Sequence, residues 1–202
     1  MVLAVDLATR NIGIIVYDTL INKVYWKQTL SLAPFDKTLK ENVESIKETF
    51  NFIKKTFNID NLLIELANFR NPKVTQMFAF YAGIIYSIFS QEATLKYFNS
   101  NAWQMLIGCK STDTSEVRKI KARKYVVKHN GDRTYVNTWT QDEIDAYCIA
   151  HNWDKIKSYS EKHKEVLIAR RQRARAALKR IGISRSKTGR ITKGRTNPSQ
   201  NG

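Results

Sequence analysis

The first half of the chain switches from strand-like segments to a helical hydrophobic period, and this order limits the possible folds more than any other feature. Residues 2–7, 11–18 and 23–32 are rich in apolar, β-branched and aromatic residues, which is typical of strands. Short segments separate them, so we expect a three-stranded antiparallel meander. Residues 36–57 then place apolar side chains at steps of four and three, which predicts a helix with one core-facing side.

Strands and helices alternate through the following residues. The segments "NLLIEL" at 61–66 and "TLKYF" at 94–98 predict short strands, and Pro72 marks the start of a helix between them. Residues 114–130 and 140–158 predict two further helices. With 202 residues, 43% of them hydrophobic, the chain can bury a real core. The element order predicts an α/β protein, with a mixed five-stranded sheet flanked by helices in three layers.

One segment, residues 74–91, has no charged residue over a length close to that of a membrane span. Polar Thr, Ser and Gln residues interrupt it, however. Met77, Tyr81, Ile84 and Ile88 follow the spacing of a helix that packs on one side. We therefore expect a packed helix and no membrane partner, with an aromatic side that could contact a second subunit.

Positive charge is concentrated near the C-terminus. Residues 1–163 carry 22 Lys and Arg against 17 Asp and Glu, whereas residues 164–202 carry 12 against one. Such a tail suits nucleic acid, because Lys and Arg contacts to phosphate release counterions; an anionic membrane is the less favoured partner. We expect a domain over residues 1–158, a basic helical extension over 159–183 and a basic tail over 184–202 that is disordered when free.

The remaining composition favours an intracellular protein. Cys109 and Cys148 lie far apart without a CxxC pattern, and the three His residues lack the spacing of zinc ligands. Asp6 interrupts the N-terminal apolar run before it reaches the length of a signal peptide. We expect a cytoplasmic location, and no small-molecule substrate.

Four acidic residues are harder to explain by solvation. Asp6 and Glu65 each follow an apolar strand-like run, and Asp142 and Asp145 lie three apart on a predicted helix. Burying carboxylates costs several kcal/mol unless they are paired or bind a metal, and hard oxygen ligands suit Mg²⁺ or Mn²⁺. Two simpler interpretations stay open. The helix acids could form an acidic first turn capped by Thr140, and the strand acids could reach water at the sheet edge.

The segments around these acids resemble a known family. "AVDLATRNIGIIVYD" resembles the first motif of the RNase H-like superfamily. "LLIELANFRNP" and "DEIDAYCIA" resemble the later motifs of RuvC-like Holliday-junction resolvases, including the small phage-type members, over about residues 1–155. The resemblance implies an RNase H-like three-layer fold and a catalytic metal site for Mg²⁺, which Mn²⁺ could replace. The implied ligands are Asp6, Glu65, Asp142 and Asp145.

The resemblance also implies an activity. Such a protein would be a homodimeric, Mg²⁺-dependent endonuclease that acts on branched DNA in recombination and repair, in the host cytoplasm if phage-encoded. It would resolve four-way junctions by symmetric nicks that leave 5′-phosphate and 3′-hydroxyl ends. Two alternatives stay open: a nuclease of the same fold acting on RNA–DNA hybrids or on branched DNA generally, and a non-catalytic nucleic-acid-binding protein.

Two residues near the predicted site have roles that depend on the resemblance. Family members carry an aromatic residue that wedges between bases at the crossover, and Phe69 is the candidate here; such a ring could stack on an unpaired base. Phe69 could instead pack back on the following helix as a hydrophobic staple. Trp103 stands where bacterial relatives often carry a lysine.

The predicted helix over residues 114–130 is strongly basic. We expect Val117, Ile120 and Val127 to lie on one side of it, with Lys and Arg residues around them. The helix could bind DNA or could be a solvated surface helix. The candidate phosphate contacts are Arg70, Lys110, Arg118, Lys119, Lys121, Arg170, Arg171 and Arg173.

Overall fold

The computed structural model contains one five-stranded mixed sheet. Its strands are β1 (Val2–Leu7), β2 (Asn11–Asp18), β3 (Lys23–Ser31), β4 (Asn61–Glu65) and β5 (Thr94–Phe98). They lie in the order β3-β2-β1-β4-β5, with β1 at the centre. The first three strands form the expected antiparallel meander, and β4 and β5 run parallel to β1. The structure describes residues 1–8, 10–33, 39–65, 72–98, 100–156, 183–185 and 191–193.

Helices cover both faces of this sheet, which confirms the expected α/β class. They are α1 (Leu39–Thr56), α2 (Pro72–Phe89), α3 (Ser100–Leu106), α4 (Ser115–Asn130), α5 (Arg133–Asn137) and α6 (Gln141–His151). The short helices α3 and α5 were not expected from the sequence. The last helix was expected to reach residue 158, but α6 ends at His151. Helical residues resume only at 153–156, after Asn152.

Alternation along the strands separates the two faces of the sheet. Leu3, Val5 and Leu7 of β1 point into a buried cluster with Phe50 of α1 and Tyr81 of α2. The intervening residues of β1 point to the opposite face, where α6 packs on β1 and β2, and α4 packs on α6. The sheet is thus the middle of three layers.

The charge-free segment forms α2, as expected, although its buried side is wider than the predicted stripe. Met77 and Tyr81 are buried, whereas Ile84 and Ile88 are only partly buried. Phe78, Ala82, Ile85 and Phe89 complete the buried side. Within the described residues, no helix has the combination of length and hydropathy that a bilayer span requires.

The chain divides into two units, Met1–Ser158 and Tyr159–Gly202. In the second unit, β6 (Ile183–Arg185) and β7 (Ile191–Lys193) form a short antiparallel pair. These strands lie within or next to the segment that we expected to be disordered when free. The remaining residues of that segment, and the helix expected over 159–183, lie outside the described residues, so this division into domains stays a prediction.

Candidate active site

Asp6 and Glu65 are neighbours on adjacent parallel strands. The register of β1 and β4 pairs Asp6 with Glu65, and paired residues on neighbouring strands point to the same face of a sheet. Because Leu3, Val5 and Ile64 face the α1 and α2 side, strand alternation places both carboxylates on the opposite face. This is the face on which α6 packs.

A glycine in β2 lets α6 approach the sheet beside these two acids. Gly13 pairs with Asp6 in the β1–β2 register. A Cβ atom on Gly13 would lie within 3.0 Å of the backbone carbonyl group of Asp142, a distance that real Cβ atoms do not tolerate. The N-terminal turn of α6 therefore sits directly over β2. This contact brings Asp142 next to the strand that carries Asp6.

Asp6, Glu65, Asp142 and Asp145 are called the acid cluster below. Other side chains hold the start of α6. Thr140 caps the helix and forms a capping box with Glu143, which satisfies two backbone N–H groups. Lys27 of β3 forms an ion pair with Glu143 at 3.1 Å, and the Thr29 and Thr140 hydroxyl oxygens are 2.5 Å apart. The acidic first turn capped by Thr140, the simpler interpretation, is thus present and includes Asp142 as well as Glu143. Asp145 lies beyond this turn.

Three of the four acids accept hydrogen bonds from uncharged side chains. Glu65 accepts bonds from the Ser100 hydroxyl and, at 2.6 Å, from the Trp103 indole N–H, both on α3. The other two bonds are accepted by the two acids of α6. Asn11 Nδ2 donates to Asp142 at 3.2 Å, and Gln141 Nε2 donates to Asp145 at 2.7 Å.

Sequence reasoning did not identify these four donors. The spacing of Gln141 and Asp145 along one helix could have suggested their bond. The other three donors are brought to the acids by the tertiary fold.

The charges of Glu65, Asp142 and Asp145 act on the Asp6 carboxyl group. The pKa of Asp6 is raised well above its ordinary value, first by burial and then by the charges of Glu65, Asp145 and Asp142. Burial also raises the pKa of Glu65, and the Ser100 and Trp103 hydrogen bonds oppose the rise.

Asp145 has a raised pKa for the same reasons. Burial is the main cause that raises the pKa of Asp145 to about 7. The charges of Glu65 and Asp142 also raise this pKa, whereas the Gln141 hydrogen bond lowers it. The nearby Lys119 lowers it slightly. Close carboxylates raise one another's pKa in this way when no cation is present.

The chemistry of this donor set suits a divalent cation, although the side chains are not arranged as a finished site. Hard carboxylate oxygens are the ligands that Mg²⁺ and Mn²⁺ prefer. In the part of the chain that the structure describes, no three His, Cys, Asp or Glu side chains are gathered closely enough to form a ready-made metal site. Glu65 is buried, whereas Asp6, Asp142 and Asp145 keep some exposure, so a ligand could reach them from solvent.

A cavity of about 320 Å³ opens beside Asp145. Arg118 and Lys119, two of the expected phosphate contacts, line it. Arg118 also donates to Gln104 Oε1 and to the Ser111 carbonyl, at 3.3 and 3.4 Å. The structure thus places these two cations in the cavity beside Asp145.

The other candidate DNA contacts divide into two groups. Lys110 is exposed, whereas Lys121 forms an ion pair with Asp113 at 2.6 Å and donates to the Gly108 carbonyl at 2.9 Å. Lys121 thus has a structural role in addition to any contact with DNA. Five candidates lie outside the described residues: Phe69, Arg70, Arg170, Arg171 and Arg173.

Comparison with known sequences gives limited information. No family model matches the chain. An uncharacterized protein of Ureaplasma parvum is 38% identical over 107 residues, which make up 50% of this chain and 46% of that protein. The chain therefore spans about half the length of this curated relative.

Comparison with solved structures identifies the fold. Thermus thermophilus RuvC in complex with a Holliday junction substrate superimposes with a TM-score of 0.60 at 13% identity, over 80% of this chain and 94% of that one. A second structure of Thermus thermophilus RuvC gives a TM-score of 0.57 at 12% identity, over 81% and 96%. The yeast mitochondrial Holliday junction resolvase Ydc2 gives 0.53 at 13% identity, over 82% and 83%. The expected RuvC-like, RNase H-like fold is confirmed.

Proposed function

We propose that this chain is a metal-dependent endonuclease that resolves four-way DNA junctions. The observation that carries the proposal is that Asp6 and Glu65 are paired across β1 and β4 on the face of the sheet against which α6, with Asp142 and Asp145, packs. Such a group raises the pKa values of its members unless a cation binds. The fold adds support, because the solved structures that it resembles are Holliday junction resolvases.

The proposed ligands of a catalytic Mg²⁺ are Asp6, Glu65, Asp142 and Asp145. Asp6 is the central one, because β1 places it between Glu65 on β4 and Gly13 on β2, where the Asp142 backbone packs. A bound divalent cation would activate water as the nucleophile and stabilise the charge that develops on the phosphate. In-line displacement of the 3′ oxygen would leave 5′-phosphate and 3′-hydroxyl ends, which a ligase can join.

Basic side chains beside the acids supply the contact to DNA in this proposal. Arg118 and Lys119 line the cavity that contains Asp145, so they can bind phosphates next to the one that is cut. Lys110 is exposed nearby in sequence and adds a third positive charge. Phe69, which follows β4, remains the proposed wedge at the crossover.

We further propose that the enzyme is a homodimer, since two symmetric nicks on a two-fold junction need two active sites. The side of α2 away from the core supports this idea. Phe80 and Tyr86 are 46% and 40% exposed, and Gly83 between them has open space around it. An exposed apolar helix face of this kind is typical of a protein contact. Light scattering on the purified protein would test it.

The decisive experiment is cleavage of an end-labelled four-way junction with and without Mg²⁺. We expect paired nicks at symmetric positions that ligase can seal. The Asp6→Asn variant should bind the junction and leave it uncut. A nicked duplex, a three-way branch and an RNA–DNA hybrid of the same sequence should be run in parallel.

Three outcomes would contradict the proposal. Equal cleavage rates on the hybrid and the junction would support the RNase H-type alternative. Cleavage by Asp6→Asn at the wild-type rate would remove the acid cluster from the reaction. Tight binding without cleavage under every metal condition would favour the non-catalytic alternative.

A further inference from the structure

A second basic cavity lies along α4, away from the acid cluster. Its volume is about 460 Å³. We call it the distal cavity, and its lining residues are Ile107, Gly108, Lys121, Lys124, Tyr125, Lys128, His129 and Lys155. Among these described residues there are four lysines and one histidine but no acid, so the cavity is suited to an anion.

The lysines of the distal cavity differ in whether an acidic side chain pairs with their charge. Lys121 is already paired with Asp113, so much of its charge is neutralised. Lys124 and Lys128 are exposed, and within the described residues neither takes part in an ion pair. They lie four apart on α4, and therefore on the same side of the helix.

The rings of Tyr125 and His129 are part of the lining of the distal cavity. The His129 ring makes a tilted contact with Tyr125, with ring centroids 4.1 Å apart, and its centroid lies 4.6 Å from that of His151. The Tyr125 hydroxyl is 2.8 Å from His151 Nδ1. Burial lowers the pKa of His151, the positive charges of His129 and Lys155 lower it further, and Asp154 opposes them. This field supports the assignment of an anion site, which stands on the geometry.

The direction of α4 connects the distal cavity to the candidate active site. Cys148 Sγ lies 3.9 Å from the Ala122 carbonyl, and one turn further Tyr125 contacts His151. Helices α4 and α6 therefore run in the same direction. Lys119 lines the cavity beside Asp145, and Lys128 lies nine residues, or about 14 Å, further along the helix axis. That length corresponds to about four phosphates of one DNA strand.

We propose that the distal cavity binds the phosphate backbone of a duplex arm about four base pairs from the cut, through Lys124 and Lys128. This inference rests on the proposed nuclease function for its substrate. In it, α4 guides the arm from Arg118 and Lys119 at the acids to the distal cavity. Binding there is independent of sequence, because only phosphates are contacted.

The first test measures junction binding against salt concentration in an Asp6→Asn background, so that cleavage does not interfere. Replacing Lys124 and Lys128 with Gln should reduce the slope of log affinity against log salt by about 1.8, the value for two lost phosphate contacts. The matched control replaces Lys47 and Lys55, two exposed lysines of α1, with Gln. The control loses the same charge but should keep the slope; equal slopes for the two double variants would overturn the proposal.

The second test maps the contact on the DNA. Methylphosphonate linkages three to five nucleotides from the cut remove the backbone charges that the distal cavity would bind. These linkages should weaken junction binding by the Asp6→Asn protein about ten-fold at low salt. They should not change binding by the protein that carries Lys124→Gln and Lys128→Gln in addition to Asp6→Asn. Equal weakening of both proteins would place the contact elsewhere.

A third measurement separates backbone phosphate from a free polyphosphate. Inorganic tripolyphosphate at constant ionic strength should compete with DNA only weakly. Tight tripolyphosphate binding that Lys124→Gln/Lys128→Gln abolishes, with an unchanged DNA salt slope, would assign the distal cavity to a small anion and overturn the proposal. Because all three tests measure binding, they remain informative even if the wild-type chain cuts no junction.

Discussion

The Trp103 indole N–H donates to Glu65 Oε2 at 2.6 Å. Trp103 is 3% exposed and Glu65 is 5% exposed, so this bond is shielded from water. The Ser100 hydroxyl donates to the other oxygen of Glu65. One short helix, α3, therefore fixes both oxygens of the carboxylate on β4 with uncharged donors.

This arrangement predicts that Trp103 controls the affinity of the acid cluster for metal. Trp103→Phe removes the N–H and keeps an aromatic ring, so Glu65 loses its orientation. We expect the Mg²⁺ concentration for half-maximal cleavage to rise about ten-fold, as is usual when the hydrogen-bond partner of a metal ligand is removed. The thermal stabilisation by added Mn²⁺ should weaken in parallel, which gives a readout independent of activity.

Trp26→Phe is the matched control for this variant. The Trp26 indole N–H is buried and has no hydrogen-bond partner among the described residues, so its loss leaves no acceptor unpaired. It should change the metal dependence by less than about two-fold while removing a similar volume. Equal metal dependence in the two variants would show that the Trp103 bond does not act on the site.

A second prediction concerns the contact between β2 and α6. Gly13→Ala would place a Cβ within 3.0 Å of the Asp142 backbone, where neither element can yield easily. We expect the variant to lose about 1–3 kcal/mol of unfolding free energy and most of its cleavage activity, because Asp142 moves away from Asp6. Urea unfolding and junction cleavage would measure the two effects.

Gly83→Ala provides the comparison. Gly83 lies in α2 with nothing within 4 Å of the added Cβ, so alanine should stabilise the helix by up to about 1 kcal/mol in the same urea measurement. If Gly13→Ala proved as stable as Gly83→Ala and as active as the wild type, α6 would not depend on close approach to the sheet.

Much of the fold could be predicted because each large element carries its own periodic signal. The five strands and the helices α1, α2, α4 and α6 each have a hydrophobic pattern long enough to identify. The helices α3 and α5, with seven and five residues, are too short to show a period. Asp132, which caps α5 by accepting from the Tyr135 backbone N–H, was the one local signal for that helix.

The buried side of α4 was predicted wrongly. Val117 and Ile120 were expected to share one side with Val127, but they are 37% and 55% exposed. The helix instead buries Ala122 and Val126, because it packs closely on α6 and small residues fit that contact. When apolar residues are spread around a basic helix, tertiary packing decides which ones are covered.

The placement of Asp6 and Glu65 on neighbouring strand ends could be predicted, but the hydrogen-bond partners of Glu65 could not. Asp6 and Glu65 end apolar strands, which is visible in the sequence. Ser100 and Trp103 reach Glu65 from 35 and 38 residues away, and no spacing rule connects residues so distant. Their role depends on the position of α3, which follows β5 in the chain.

A third prediction concerns the C-terminal tail. Residues 184–202 contain five Lys and Arg and no Asp or Glu. Removing them should weaken junction binding and reduce the salt slope by up to about 4.5, if every charge meets a phosphate. Fluorescence anisotropy at several salt concentrations would measure the change, and an unchanged slope would show that the tail does not contact DNA.

A final prediction links the acid cluster to stability through pH. Burial raises the pKa of Asp145 from 3.8 to about 7, so between these values the folded protein binds more protons than the unfolded chain. The stability that Asp145 contributes is therefore complete below about pH 4 and is lost as the pH rises through 7. The metal-free protein should lose on the order of a few kcal/mol of unfolding free energy over this range.

Comparison with Asp145→Asn isolates this effect. His151 acts in the opposite sense, because its lowered pKa makes stability rise with pH up to about 6.5. Asp145→Asn keeps His151, Asp6 and Glu65. It should remove the Asp145 part of the decline measured by urea unfolding from pH 4 to 8 and leave the part that comes from the raised pKa values of Asp6 and Glu65. Mg²⁺ should stabilise the wild type more at pH 8 than at pH 5, since the cation binds the ionised carboxylates. A wild-type profile parallel to that of Asp145→Asn, with no gain from Mg²⁺ at pH 8, would mean that the four acids do not act as one site.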